Sequence, residues 1–338
     1  MVLGYHLVAN SNIRVWFDPQ GSIVWRVSQI GRYGVYIFFC ISGFVICRGL
    51  MRELAQTSSI SLKAFYIRRG LRILPPLLLY LASLALLSRM GQIEVAPLQL
   101  LASAVFLCNS SFLANCGWFA GHTWSLAYEE QFYLVFPLLF IAAGLARRPG
   151  RLWLVVLSLV ALGLILKALS FVLIPDYLHN VTYLLTGCLV ALHWDCLASR
   201  LHLLPGWLWP ATTVLTMVLV GGLAFPPWWE AYLIPVLLPL LTCFMVLATP
   251  ASQPAMSKYF QHPIASHLGK TSYTVYLWQQ LATGYFPGMS PWWTVALVMG
   301  VWAIAHLSYK YIEQPLMKVG ADWTNWIKSG QPHSQAAQ

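Results

Sequence analysis

Apolar residues run in blocks of spanning length along almost the whole chain, separated by short polar or basic segments. A helix needs about 20 apolar residues to cross the hydrocarbon core of a bilayer. The blocks therefore predict membrane-crossing helices near 31–50, 73–90, 124–146, 152–174, 178–194, 207–225, 229–249, 270–288 and 291–311. The apolar stretch 1–10 is too short to cross and has no basic n-region, so it reads as the end of a further span and not as a cleavable signal. One more stretch, 98–116, closes with CNSSFLANCG, whose polar side chains and glycine would leave backbone groups hard to satisfy in lipid. The expectation for it is a re-entrant or interfacial segment. The fold class is thus all-α, a polytopic integral membrane helix bundle with the first helix truncated at the N-terminus. A membrane domain would cover 1–322 and a cytoplasmic tail 323–338, with 329–338 reading as disordered.

Composition sharpens this picture. Of 338 residues, 59% are hydrophobic and 9% charged, and the mean hydropathy is +0.66. A soluble domain carries roughly a quarter charged residues, because its surface must face water. An ordinary water-soluble globule is therefore excluded. The net charge of +10, from 20 Lys and Arg against 10 Asp and Glu, would point to nucleic acid in a soluble protein. Here the basic residues sit between spans, so they report topology, and no nucleic-acid partner is expected. If 98–116 does not cross, one side collects fifteen basic residues, from Arg48 to Lys328, and the other four: Arg14, Arg26, Arg32 and Arg89. Lys167 falls inside a span. If 98–116 crosses, the split becomes six against thirteen, with the basic loop 48–72 on the poorer side. The positive-inside rule selects the first arrangement and puts that loop and the C-terminus in the cytoplasm. The seven cysteines form no CxxC pair and no Cys/His cluster of zinc spacing, so neither a redox motif nor a metal site is expected.

Four segments are chemically denser than membrane packing requires. The glycine-punctuated GRYGVYIFFCISGFVI leads to FYIRRGLRILPP, where Arg69 and Arg72 lie three apart and share a helix face beside Arg68. Such guanidinium groups grip phosphates in bidentate fashion, or anchor the loop on anionic lipid headgroups. In GHTWSLAYEEQFYLVFPLLF, His122, Ser125 and Glu129 fall on one face of a helix. Adjacent carboxylates at that depth are usually functional when they point into a bundle. Alternatively Thr123 or Ser125 caps the helix and its positive end favours Glu129. LGKTSYTVYLWQQ starts a span with Ser272, Tyr273, Tyr276, Trp278 and Gln279, much of which an interfacial aromatic belt would explain. In HLSYKYIEQPLMK, His306, Lys310 and Glu313 recur at helical spacing, with a local Lys310–Glu313 pair expected.

Taken in order, GVYIFFCISGFVI, FYIRRGLRILPP, HTWSLAYEEQFYLVFP, LGKTSYTVYLW and YKYIEQP resemble acyltransferase family three, the integral-membrane O-acyltransferases that include O-antigen, exopolysaccharide, peptidoglycan and Nod-factor acetylases. The resemblance runs from His6 to about Lys318, in the short form without a soluble esterase-like domain. It implies about ten spans in a bacterial inner membrane and an enzyme that moves an acyl group, commonly acetyl, from cytoplasmic acetyl-CoA to a sugar hydroxyl. It also matches His6, in GYHLV, to a family histidine needed for activity. The family arginine ten residues before it would fall ahead of Met1, so either the gene start lies further upstream or the chain is an inactive truncated relative. Gln279 stands where the family often has histidine, and an amide cannot serve as a base.

A sugar hydroxyl is a poor nucleophile and needs a base of near-neutral pKa. His6 is the candidate, with Glu129 or Glu130 orienting its imidazole as the third member of a triad would, and with His122 nearby on the same side. Arg69 and Arg72, with Arg68, would hold the phosphates of acyl-CoA on the cytoplasmic side. The expected partners are acyl-CoA, a saccharide or glycolipid acceptor and membrane lipid, with no metal. A transporter or flippase for a lipid-linked saccharide shares the fold and is the other reading.

Overall fold

A computed structural model describes residues 2–12, 28, 30–110, 115–168, 173–201, 203–220, 237–245, 258 and 261–329. Among them every regular element is helical: α1 (Val2–Asn10), α2 (Gly34–Thr57), α3 (Leu62–Arg89), α4 (Pro97–Ala104), α5 (Gly117–Gly121), α6 (Thr123–Ala142), α7 (Gly150–Ala168), α8 (Leu173–Leu192), α9 (Trp194–Leu201), α10 (Leu208–Val220), α11 (Pro263–Thr283), α12 (Pro291–Ser308) and α13 (Gln314–Ser329). A 3-10 turn, Gly31–Tyr33, precedes α2, and a π-turn, Tyr309–Glu313, joins α12 to α13. The predicted spans at 207–225 and 229–249, and the tail beyond Ser329, lie wholly or partly outside the described residues, as does the side chain of Lys167.

Among the described residues, three helices are long and apolar enough to cross a membrane, Gly34–Thr57, Leu62–Arg89 and the continuous run Pro291–Ile327. A fourth span results if Leu178–Leu192 and Trp194–Leu201, bent by 79° at their junction, count as one. Leu134, Val135, Leu138 and Ile141 on α6, and Leu154 and Leu157 on α7, point outward. Leaving such rows in water would forgo about 25 cal/mol for every Å² of apolar surface, whereas lipid accepts them.

The tightest packing pairs α2 with α8 through two glycines. A Cβ on Gly43 would fall 1.9 Å from the Leu184 carbonyl oxygen, and one on Gly187 would fall 2.1 Å from that of Cys40. Two backbones this close admit no side chain, the arrangement that small residues permit between membrane helices. The Cys188 thiol uses the proximity to donate to the Gly43 carbonyl at 3.1 Å.

The span expected at 73–90 begins eleven residues earlier. Ser61 caps α3 by accepting from the Ala64 N–H at 3.3 Å, so the arginine segment forms the first turns of a 28-residue helix. At 1.5 Å per residue it is about 42 Å long, more than a ~30 Å core requires. Pro75 and Pro76 interrupt its hydrogen-bond ladder, and at that interruption the Ile73 carbonyl accepts from the Tyr273 hydroxyl at 2.9 Å. The π-turn likewise carries α12 past the expected end at 311, and the boundary at 322 falls within α13. There Thr324 is buried, and a Cβ on Gly320 would lie 3.2 Å from Leu71 on α3.

Segment 98–116 forms no helix of spanning length. After α4 it turns inward: Asn109 and Gln131 exchange amide hydrogen bonds at 2.9 and 3.1 Å, and Gln131 also donates to the Phe106 carbonyl at 2.9 Å. Gln131 lies about 12 Å along α6 from Thr123, while Ser103 meets Thr123 itself at 3.2 Å. The described part of the segment up to position 110 therefore packs beside α6, and a disulfide joins Cys108 to Cys116.

Candidate active site

Two cavities flank one layer of charged side chains. The first, of about 330 Å³, is lined by Glu53 and by all three arginines, Arg68, Arg69 and Arg72. Their treatment differs. Glu53 is buried, accepts from the Ser61 N–H at 3.2 Å and pairs with Arg68 at 3.5 Å. Arg69 lies flat over the Tyr133 ring at 3.7 Å, and its buried Nε has no hydrogen-bond partner. Neither Arg69 nor Arg72 enters an ion pair within 4 Å among the described residues. A guanidinium charge on an aromatic face with a buried N–H left without a partner is able to take an anionic partner.

The second cavity, of about 400 Å³, is mostly apolar, with Ser125, Glu129, Ser272, Tyr276 and Gln279 as its polar part. Glu129 is buried and accepts from the Ser42 hydroxyl at 2.8 Å. Glu130 keeps a buried carboxylate oxygen without a partner. Arg69 lies within electrostatic reach of both acids and Arg72 of Glu129. Glu129 thus lines the second cavity while Arg69 and Arg72, which line the first, act on it electrostatically.

At the start of α6, His122 is fully enclosed, edge-on to Tyr80 and Tyr276 at 5.6 and 5.3 Å between ring centres. Neither ring nitrogen makes a hydrogen bond of normal geometry, although the Leu277 backbone lies beside the ring. Its carbonyl accepts from the Tyr276 hydroxyl, which also meets Ser125, both at 2.7 Å. His6, half-buried on α1, stands edge-on to Trp118 at 5.4 Å and within electrostatic reach of His122. Trp118 in turn donates to the Gln280 carbonyl at 3.2 Å, which holds α5 against α11.

The structure thus brings His6 to His122 and the arginines to the acids. It does not pair His6 with an acid: among the described residues neither Glu129 nor Glu130 hydrogen-bonds to a histidine, and Glu129 lies about 10 Å along α6 from His122. The capping reading also fails, because His122 occupies the N-cap position and Thr123 donates to the Ala120 carbonyl at 2.8 Å. The aromatic-belt reading fails for Tyr273 and Tyr276, whose hydroxyls bond inside the bundle. Pro263 in the first turn starts α11 well before Leu268 and places both tyrosines mid-helix. Lys310 and Glu313 do not pair. The wider π-turn rotates Glu313 inward to accept from Thr274 and from Ser308, the latter at 3.4 Å. Ser42 and Glu53 were not singled out in the sequence. Ser42 lies inside the CISGF run, and Glu53 is the one acid in the basic loop, a signal that could have marked it.

The fold and site thus define a helix bundle with an arginine-lined cavity, a mostly apolar cavity holding a buried carboxylate, and an enclosed histidine at the start of α6. The chain belongs to the acyltransferase domain family, whose sequence profile matches residues 1–309. It is 28% identical over 336 residues to the peptidoglycan O-acetyltransferase OatA of Listeria monocytogenes, covering 88% of this chain and 53% of that protein. It is 25% identical over 327 residues to the O-acetyltransferase OatA of Staphylococcus aureus, covering 86% and 53%. SAR0937 of Staphylococcus aureus, named provisionally as an O-acetyltransferase, is 27% identical over 340 residues, covering 88% and 55%. The chain spans about half the length of the curated relatives it matches. No solved structure matches it.

Proposed function

We propose that this chain is a membrane O-acyltransferase that takes an acyl group, acetyl in the first instance, from acyl-CoA at the arginine cleft and passes it to a sugar hydroxyl of a glycan or glycolipid on the far side of the bundle. The observation that carries this reading is a pair of cavities, one lined by Arg68, Arg69 and Arg72 and the other, mostly apolar, by Glu129, whose carboxylate lies within electrostatic reach of Arg69 and Arg72. The diphosphate of CoA suits the unpaired donor edges of Arg69 and Arg72. Its extended arm suits the apolar cavity. His6 is the base that accepts the sugar proton, with His122 as its enclosed neighbour. Glu129 and Glu130 hold the arginine layer in place rather than orient the imidazole. The names of the relatives support an acetyl donor and a glycan acceptor.

The fifteen-to-four charge split supports about ten spans in a bacterial inner membrane, with the loop at 58 and the C-terminus cytoplasmic. The disulfide in the 98–116 loop agrees, since such bonds persist on the oxidising side. A cysteine at position 58 should resist an impermeant thiol reagent applied to intact cells, and labelling there would overturn the topology. The activity is tested by acetyl-CoA itself: purified protein should bind it and release its thiol, whereas a transporter would ignore it.

A further inference from the structure

The geometry points to Gln279 as the hydrogen-bond donor that receives the negative charge of the reacting thioester carbonyl. This rests on the acyl-transfer reading and assigns a role within the same cavity. Gln279 is buried, lines the apolar cavity, and its side-chain nitrogen has no hydrogen-bond partner. A buried amide without a partner is unfavourable and rare in a folded protein. Its neighbours along the same helix face do have partners: Tyr276 bonds to Ser125 and to the His122 carbonyl, and Ser272 donates to the Gly269 carbonyl at 2.8 Å. The unused N–H of Gln279 is therefore the free donor on this wall, about 10 Å along α11 from Ser272.

The chemistry requires such a group. The sugar oxygen bonds to the thioester carbonyl carbon as its proton passes to the His6 imidazole. The carbonyl oxygen then carries the negative charge. When the C–S bond breaks, its electron pair leaves on the CoA sulfur, which takes the proton from the imidazole. Ester and free CoA thiol balance the step. An amide cannot move protons here, but it can donate to the oxyanion, and a preorganised donor in a water-poor cavity is where such stabilisation is largest.

The test uses the full-length protein in detergent and two ligands, CoA and S-carboxymethyl-CoA, whose carboxylate stands where the oxyanion forms. The wild type should bind the carboxymethyl compound at least about 10-fold tighter than CoA. Gln279→Leu should abolish that preference, leave CoA affinity unchanged and match or exceed the wild type in thermal stability, because it removes an unsatisfied amide. Gln279→Glu, which keeps the shape and brings negative charge, should reverse the preference and controls for any folding defect of the leucine variant. A wild type without the preference, or variants that retain it, would overturn the role of Gln279 while leaving acyl transfer standing. A wild type that binds neither ligand would overturn the acyl-CoA reading and this inference with it.

Discussion

The two cavities stand in contrast. In the arginine cleft the charges are sorted: Arg68 is tied to Glu53, while Arg69 and Arg72 keep their donors for something else. In the apolar cavity the polar atoms are few, buried and partly unused, as at Gln279. The first presents guanidinium donors to its lumen, and the second presents mostly apolar walls around a buried carboxylate. The proposed acyl transfer would use the first for a charged handle and the second for a neutral group whose charge appears only during reaction, where donors must already be in place. A chain that only anchored itself to lipid would need the first region and not the second.

The largest effect that separates them is expected at His6. His6→Gln preserves size and hydrogen-bonding capacity but removes basicity, so turnover should fall by roughly 10²-fold to 10⁴-fold while acetyl-CoA affinity stays near that of the wild type. Parallel loss of both, measured on one purified sample, would place His6 in donor binding and collapse the contrast.

Next comes Arg69→Lys with Arg72→Lys. A point charge cannot reproduce the guanidinium fork, so acetyl-CoA affinity should drop by about 1.5 to 3 kcal/mol per lost contact. Arg68→Lys should lose less, because Arg68 already serves Glu53. Isothermal titration of the three variants ranks them, and equal losses would mean that the cleft does not sort its charges as described.

The smallest effect belongs to the exposed pair between Arg48 and Asp195 at 2.8 Å, which ties α2 to α9 beyond the bend. The Arg48 guanidinium, by hydrogen bond and charge, holds the Asp195 carboxyl below its usual range. A lowered carboxyl stabilises the fold above its unfolded-state value, about pH 4, and that contribution disappears as pH falls through the lowered value. Arg48→Ala should therefore lower thermal stability slightly at neutral pH, converge with the wild type as pH falls below about 4, and leave both cavities unchanged.

Several of these features could be read from the residues. The helical character and the existence of α2, α3, α7 and α12 followed from apolar block length. Arg68, Arg69 and Arg72 stood out by spacing, and His122 and Glu129 by depth. The errors share one cause: a side chain was assigned to its own helix when its partner lay on another. Glu313 was given to Lys310 and is held by Thr274. Tyr276 was given to the interface and holds His122.

What the sequence by itself determined is the solvent of this protein, because hydrophobicity and charge count are local sums that no packing can alter. It also determined which residue types are present for chemistry. Tertiary structure alone decided which of them meet. The close approach of Gly43 and Gly187, the π-turn that swings Glu313 inward and the early start of α11 each move a side chain by part of a helical turn. A hydrogen bond tolerates no such displacement, so the composition of the site was fixed only when the helices had packed.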